Sequence, residues 1–168
     1  MERSEGHSIL VIGLNHDLNT IIYNIILLMG ASQSIQKINF EDMHLVLKNI
    51  ESYLLINTLP NSEQGFLIAN TIPYDKEVSI IEKYVKLCPQ TKIVVYGKNC
   101  NDETIYNKYN QLVSIGFPNV YLYTGGLFEW SLLQDIYGTE LFQTSSAPDK
   151  DILKYKSGKK LDISLIEY

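Results

Sequence analysis

The sequence is short of cysteine, of net positive charge and of long apolar runs, and each shortage excludes a class of protein. Cys88 and Cys100 are the only two cysteines among 168 residues. Two thiols at that spacing form neither a zinc site nor a disulfide framework, so we expect a reducing, cytoplasmic location. The formal net charge is −5. A mildly acidic chain does not attract phosphate backbones, which argues against nucleic acid as a partner.

The first 34 residues carry two apolar stretches, 9–14 and 21–29, with polar residues between them. A spanning helix requires about 20 mostly apolar residues, and a signal peptide requires an uninterrupted apolar run. Neither pattern fits, so we predict no transmembrane span and interpret residues 1–34 as an N-terminal extension. A second hypothesis is N-myristoylation at Gly30, which applies only if translation starts at Met29.

After this extension, helix and strand patterns alternate. Asn39, followed by acidic residues, predicts the start of a helix. Residues 53–57 form a short apolar run of strand type, and 66–69 indicate a weaker second strand. Helical spacing over 77–87 ends at Pro89, which cannot continue a helix. The first half of the chain therefore predicts at least one βα unit.

The second half repeats this alternation with a clearer pattern. Lys92–Tyr96 contains consecutive β-formers without alternation, which predicts a strand buried on both faces of a parallel sheet. Residues 104–115 have helical spacing, with Gly116 as the C-cap. Strand 120–123 and a helix through Ile136 follow. Residues 138–168 are rich in Ser, Pro and Lys, which predicts a loosely held tail.

Strands that alternate with helices imply a parallel sheet covered on both sides. Ligands of such sheets bind at the carboxyl ends of the strands. The loop that follows Lys92–Tyr96 is therefore the first candidate for a functional site.

One block of this sequence resembles the rhodanese-like family. It consists of strand 93–96, a loop, a helix, then Gly116–Tyr121 and Gly125–Trp130. The family pattern is a strand that ends in the catalytic cysteine, a helix, "GF.NVY" and "GG(I/L)..W". The spacing from Gly-Gly to Trp is its most specific part. Weaker matches precede this block, and the resemblance covers residues 35–137.

The resemblance implies a three-layer α/β domain over residues 35–137, followed by the tail 138–168. Its central, mostly parallel sheet has about five strands, with helices on both faces. In active members of the family, a loop cysteine accepts sulfur as a persulfide and passes it to a thiophile, without a cofactor. Inward-pointing backbone N–H groups and the adjacent helix N-terminus stabilise the anion.

The resemblance also implies an anion- or substrate-binding loop. The family's cysteine directly follows the strand, and here that position is Gly97, whereas Cys100 stands further along. Counting back from Gly116 instead places the catalytic position near Asn99–Cys100, because the loop is longer than is common in the family. Besides Cys100, the predicted loop residues are Gly97, Lys98, Asn99, Asn101, Asp102, Glu103 and Thr104.

Two functions follow from this loop. In the first, Cys100 is the displaced nucleophile of a sulfurtransferase, whose partners are a sulfur donor and acceptor. In the second, the domain is a non-catalytic binding or regulatory module with a protein partner. Asp102 and Glu103 favour the second, because carboxylates beside a thiol disfavour its ionisation. Asn57, at the aspartate of the family's "IDVR", also favours it, and the arginine of that motif is absent.

A phosphatase is a third hypothesis, and it ranks low because the loop lacks the arginine that grips phosphate. His7, His16 and His44 share no metal-ligand spacing. We therefore predict no metal and no cofactor. The prediction of function is a divergent or non-catalytic rhodanese-like module, with the sulfurtransferase as its alternative.

Overall fold

The computed structural model of the protein describes residues 34–149 and 151–159. Four strands and four α-helices lie in this part of the chain. In chain order they are β1 (Gln36–Ile38), α1 (Phe40–Lys48), β2 (Tyr53–Asn57), α2 (Tyr74–Leu87), β3 (Lys92–Tyr96), α3 (Thr104–Ser114), β4 (Val120–Tyr123) and α4 (Gly126–Tyr137). Short 3₁₀ helices lie at Ile50–Ser52, Asn61–Glu63 and Ile152–Tyr155.

The strands form one parallel sheet in the order β1-β4-β3-β2. Strand β3 is interior, since Tyr96 pairs with Asn57 of β2 and with Tyr123 of β4. The predicted α/β fold is confirmed. The described residues contribute four strands to the sheet, rather than about five.

Alternation along β3 divides the core between the two faces of the sheet. Val94 and Tyr96 are buried on the face that α1 and α4 cover. Ile93 and Val95 are buried on the opposite face, under α2 and α3. All four side chains are at most 1% exposed. Burial on both faces explains the unbroken apolar run. Because β3 lies between β4 and β2, its carboxyl end is in the interior of the sheet.

Local signals set the helix starts and ends close to their predicted positions. Asn39 caps α1 through a capping box, in which its Oδ1 accepts a hydrogen bond from Asp42 N at 2.9 Å. Helix α2 begins at Tyr74, three residues before the predicted start at 77 and directly after the N-cap residue Pro73. Gly116 follows α3 with φ +114°, a conformation that favours glycine.

Two side chains of the described segment after Gly138 pack in the core, so the prediction of a loosely held tail is wrong where they anchor it. Phe142 and Tyr155 are buried in the core under α1 and α4. The Trp130 indole N–H donates to Gln143 O at 3.1 Å. The predicted weak strand at 66–69 is reduced to an isolated antiparallel bridge between Ile68 and Thr144.

Two predictions concern residues outside the described ranges. Residues 1–33 of the N-terminal extension lie there, as does the hypothesis of N-myristoylation at Gly30. The domain boundaries at 34/35 and 137/138 stay predictions. Over residues 34–149 and 151–159, no helix has the length and apolar character that crossing a bilayer requires.

Candidate functional site

The candidate loop leaves the carboxyl end of β3 and is held by the start of α4. Leu127 N donates to Gly97 O, and Phe128 N donates to Lys98 O, both at 2.9 Å. Gly126 has φ +64°, and a Cβ added there would lie 2.7 Å from Gly97 O. Only glycine allows this approach without a shift of backbone. The Gly-Gly motif of the sequence therefore acts by fixing the loop.

The Asp102 carboxylate accepts hydrogen bonds from the loop's own backbone. Its Oδ2 accepts from Lys98 N at 2.8 Å. Its Oδ1 accepts from Thr104 N at 3.0 Å and from Thr104 Oγ1 at 2.6 Å. Thr104 is the first residue of α3, so the carboxylate also lies at the positive end of that helix. Two of the loop's amides, those of Lys98 and Thr104, therefore hold a carboxylate of the chain itself.

Gly97 and Asp102 share one small volume. Gly97 is buried directly after β3. A Cβ added to it would lie 2.4 Å from Asp102 Oδ2 and 2.8 Å from Ile105 Cγ2. A cysteine at the family's usual position would therefore require Asp102 to move.

Asn99 organises the other half of the loop. Its Oδ1 accepts from Asn101 N, and its backbone O accepts from Asp102 N, both at 3.0 Å. Its Nδ2 donates to Tyr155 O at 2.8 Å. Asn99 is only 7% exposed. One buried amide thus connects the loop to the C-terminal segment.

The predicted nucleophile lies at the surface. Cys100 is exposed to solvent, as is Cys88 at the end of α2. Glu103 is exposed as well. Asn99, the other position to which the family spacing points, carries the buried amide described above. Within the described chain, neither position places a thiol among the hydrogen bonds of the loop.

An open cleft of about 530 Å³ lies over the loop. Five of the predicted loop residues line it, namely Lys98, Asn99, Asn101, Asp102 and Thr104. Gly97, Cys100 and Glu103 are not among its lining residues. The opposite walls come from Thr58, Pro60 and the segment 156–159. The structure thus brings most of the predicted site together and leaves the cysteine outside.

The sequence did not reveal the contribution of the C-terminal segment. Lys156 and Lys159 belong to the tail that the sequence pattern characterises only as rich in Ser, Pro and Lys. Tyr155 brings them to the loop: it is 1% exposed and stacks on Phe66, with ring centroids 6.0 Å apart. No local pattern predicts such a long-range contact.

Lys98 is paired at the edge of the cleft. Its Nζ lies 2.6 Å from Glu63 Oε1. Both side chains keep about a quarter to a third of their area exposed, at 30% and 27%. Glu63 does not line the cleft but contributes to a neighbouring depression with Asp149 and Lys154. Glu63 therefore compensates the charge of Lys98 from outside the cleft.

Asn57 forms a neutral pair at the position of the family's aspartate. Its Nδ2 donates to Gln64 Oε1 at 3.1 Å, and Gln64 Nε2 donates back to Asn57 Oδ1 at 2.9 Å. Asn57 Oδ1 also accepts from Leu59 N at 3.0 Å. The loop after β2 is therefore fixed by amides rather than by an ion pair.

Tyr96 supports the site from below. Its hydroxyl oxygen accepts a hydrogen bond from Ile68 N at 3.2 Å and lies 2.9 Å from Thr71 Oγ1. Burial raises the pKa of Tyr96 above 10.0, an effect larger than the opposing one of the hydrogen bonds with Thr71 and Ile68. The phenol therefore stays neutral as a structural group.

Solved structures that are similar to the chain at low identity include the following three. The rhodanese-like domain of the Alr3790 protein from Anabaena sp. is 20% identical, with a TM-score of 0.48 over 79% of this chain and 92% of that one. The BH2092 protein from Bacillus halodurans is 16% identical, with a TM-score of 0.49 over 68% and 82%. A protein from Lactobacillus plantarum is 22% identical, with a TM-score of 0.47 over 66% and 93%. No curated protein sequence matches the chain.

A sequence model described as "Rhodanese-like domain" matches residues 49–133. The match covers just over half of the 168 residues. It runs from the end of α1 to the middle of α4 and includes the whole candidate loop. The chain belongs to the rhodanese-like domain family.

Proposed function

We propose that this rhodanese-like domain is a non-catalytic binding or regulatory module. The observation that carries the proposal is the position of Asp102. Its carboxylate accepts hydrogen bonds from two of the loop's amides and fills the space beside Gly97. A persulfide is also an anion, and a second negative charge beside this carboxylate is disfavoured by repulsion.

The exposure of Cys100 supports the same proposal. In sulfur transfer from thiosulfate, a thiolate attacks the outer sulfur, the S–S bond breaks, and sulfite leaves with the electron pair. Cyanide then attacks the outer sulfur of the persulfide, which releases thiocyanate and restores the thiolate. Both steps require stabilisation of the sulfur anion. Cys100 is not among the residues that line the cleft.

The alternative function, a sulfurtransferase that uses Cys100, is tested by the standard assay with thiosulfate and cyanide. We expect thiocyanate formation by the full chain to equal that of the Cys100→Ser and Cys88→Ser variants. The Cys88→Ser variant controls for unassisted chemistry of an exposed thiol. Turnover that Cys100→Ser abolishes and Cys88→Ser preserves would overturn the proposed function.

The partner and the location stay proposals. Protein binding fits a domain that keeps an open cleft without a nucleophile in it. A cytoplasmic location is the expectation from the two unbridged cysteines. N-myristoylation at Gly30 stays a separate hypothesis, decided by the intact mass of the native protein.

A further inference from the structure

We propose that the cleft over the loop binds an acidic peptide segment, whose carboxylates pair with Lys156 and Lys159. The inference rests on the proposed binding function and names the class of partner. It starts from the charges that face the cleft. Lys98, Lys156 and Lys159 are its cations, and Asp102 is its only carboxylate among the described lining residues.

These four charged side chains differ in whether the protein already supplies a partner for them. Asp102 is already satisfied by backbone N–H groups and the Thr104 hydroxyl. Lys98 is compensated by Glu63. Lys156 and Lys159 are exposed and form no ion pair with any described residue. The cleft is therefore locally positive on a chain whose net charge is −5.

The segment that carries these lysines is anchored rather than loose. Tyr155 is buried next to Lys156, and its backbone O accepts from Asn99. Binding through a held segment loses less conformational entropy than binding through a mobile tail. The two lysines are therefore placed beside the loop before any ligand arrives.

The size of the surface favours a peptide over a small oxyanion. The cleft of about 530 Å³ shares Thr58 and Thr104 with a second depression of about 390 Å³. Together they form an extended surface, on which the Asn101 side chain offers an amide donor. Asp102 already binds two of the amides that a single compact anion could use.

Lysine chemistry favours carboxylates in this ligand. None of the residues that line the cleft in the described chain is arginine, so the forked, bidentate contact preferred for phosphate is absent there. An ammonium group pairs with a carboxylate as a point charge. Nucleic acid is disfavoured by the acidic chain as a whole.

The test measures binding of a short rhodamine-labelled poly-glutamate peptide to the full chain by fluorescence anisotropy. The poly-glutamine peptide of equal length is the matched probe. We expect binding of the glutamate peptide alone, and weaker binding at high salt. We expect the double variant Lys156→Gln/Lys159→Gln to weaken binding about tenfold. Lys83→Gln/Lys86→Gln, with the same spacing and charge change on exposed positions of α2, should bind as the native chain does.

A variant that is expected to strengthen peptide binding distinguishes an effect of charge from a loss of binding caused by damage to the fold. Glu63→Gln removes the carboxylate that compensates Lys98, so we expect it to tighten binding of the glutamate peptide. In the native chain, bound peptide should slow alkylation of Cys100, which stands between two lining residues, and should leave Cys88 unchanged. Cys88 thus serves as the control within the same molecule.

Equal binding of the glutamate and glutamine peptides, or equal effects of the two lysine pairs, would overturn the inference. So would a lack of binding, or protection of both cysteines. These outcomes are distinct from failure of the proposed function, which the sulfur-transfer assay reports on the same protein. If the chain shows neither sulfur-transfer turnover nor peptide binding, only the inference of an acidic peptide ligand is rejected. If sulfur-transfer turnover depends on Cys100, the proposed non-catalytic function is rejected.

Discussion

The Asp102 carboxylate lies where a side chain on residue 97 would begin, with Oδ2 2.4 Å from the position of an added Cβ. The two positions are therefore coupled: glycine at 97 makes room for the carboxylate, and the carboxylate binds the amides of Lys98 and Thr104. This pair connects the residue after β3 to the first turn of α3 across the loop.

This coupling predicts that the effects of substitutions at Gly97 and Asp102 on the free energy of unfolding are not additive. We expect Gly97→Cys to destabilise the domain by about 1–3 kcal/mol, because it overpacks a filled volume. We expect Asp102→Ala to cost about 1–2 kcal/mol, because it removes acceptors from two backbone amides. In the double variant, the costs should fall short of their sum by at least about 1 kcal/mol. Urea unfolding of the four proteins measures this, and additive costs would contradict the shared volume.

We predict that replacing the buried Asn99 amide by a carboxylate strongly destabilises the domain. Asn99→Asp keeps an acceptor for Asn101 N but removes the donor to Tyr155 O and buries a charge. We expect a loss of about 2–4 kcal/mol in the free energy of unfolding. Asn101→Asp is the control, with the same chemical change on an exposed residue, and should stay within about 0.5 kcal/mol. Similar losses in both variants would show that Asn99 does not hold the loop to the C-terminal segment.

Tyr96 predicts a dependence of stability on alkaline pH. At neutral pH, Tyr96→Phe should cost about 1–2 kcal/mol, since the buried Ile68 N–H loses its acceptor. The raised pKa of Tyr96, caused by burial, means that its contribution is complete below 10.0 and declines as pH rises above that value. The decline is about 1.4 kcal/mol for each pH unit.

The difference in unfolding free energy between the native chain and Tyr96→Phe should therefore shrink between pH 9 and pH 11. Tyr74→Phe, at a tyrosine that is 57% exposed, is the control, and we expect it to leave the free energy of unfolding nearly unchanged. If the difference in unfolding free energy between the native chain and Tyr96→Phe stays constant with pH, the phenol ionises as easily in the folded protein as in the unfolded chain.

The sequence predicted the sheet and its central loop because those features are encoded locally. The unbroken run Lys92–Tyr96 indicated burial on both faces, and the structure places Ile93 and Val94 in opposite halves of the core. The spacing from Gly125 to Trp130 identified the family, and Gly126 proves to contact the loop backbone.

The details of the site escaped prediction because they depend on long-range contacts. The acidic loop was expected to disfavour a thiolate by charge, whereas the structure shows Asp102 bound to the loop's amides. Tyr155 and the segment that follows it were predicted to be loose, because their composition is polar. A single buried ring and one hydrogen bond from Asn99 hold them instead.

The central claim is that the loop holds a carboxylate in place of an anionic sulfur, and it is tested most directly by intact-protein mass spectrometry after incubation with thiosulfate. The native chain, Cys100→Ser and Cys88→Ser are compared, each before and after cyanide. The account predicts no cyanide-sensitive sulfur adduct beyond what an ordinary exposed thiol such as Cys88 acquires. A stoichiometric adduct that cyanide removes, present in Cys88→Ser and absent from Cys100→Ser, would contradict it.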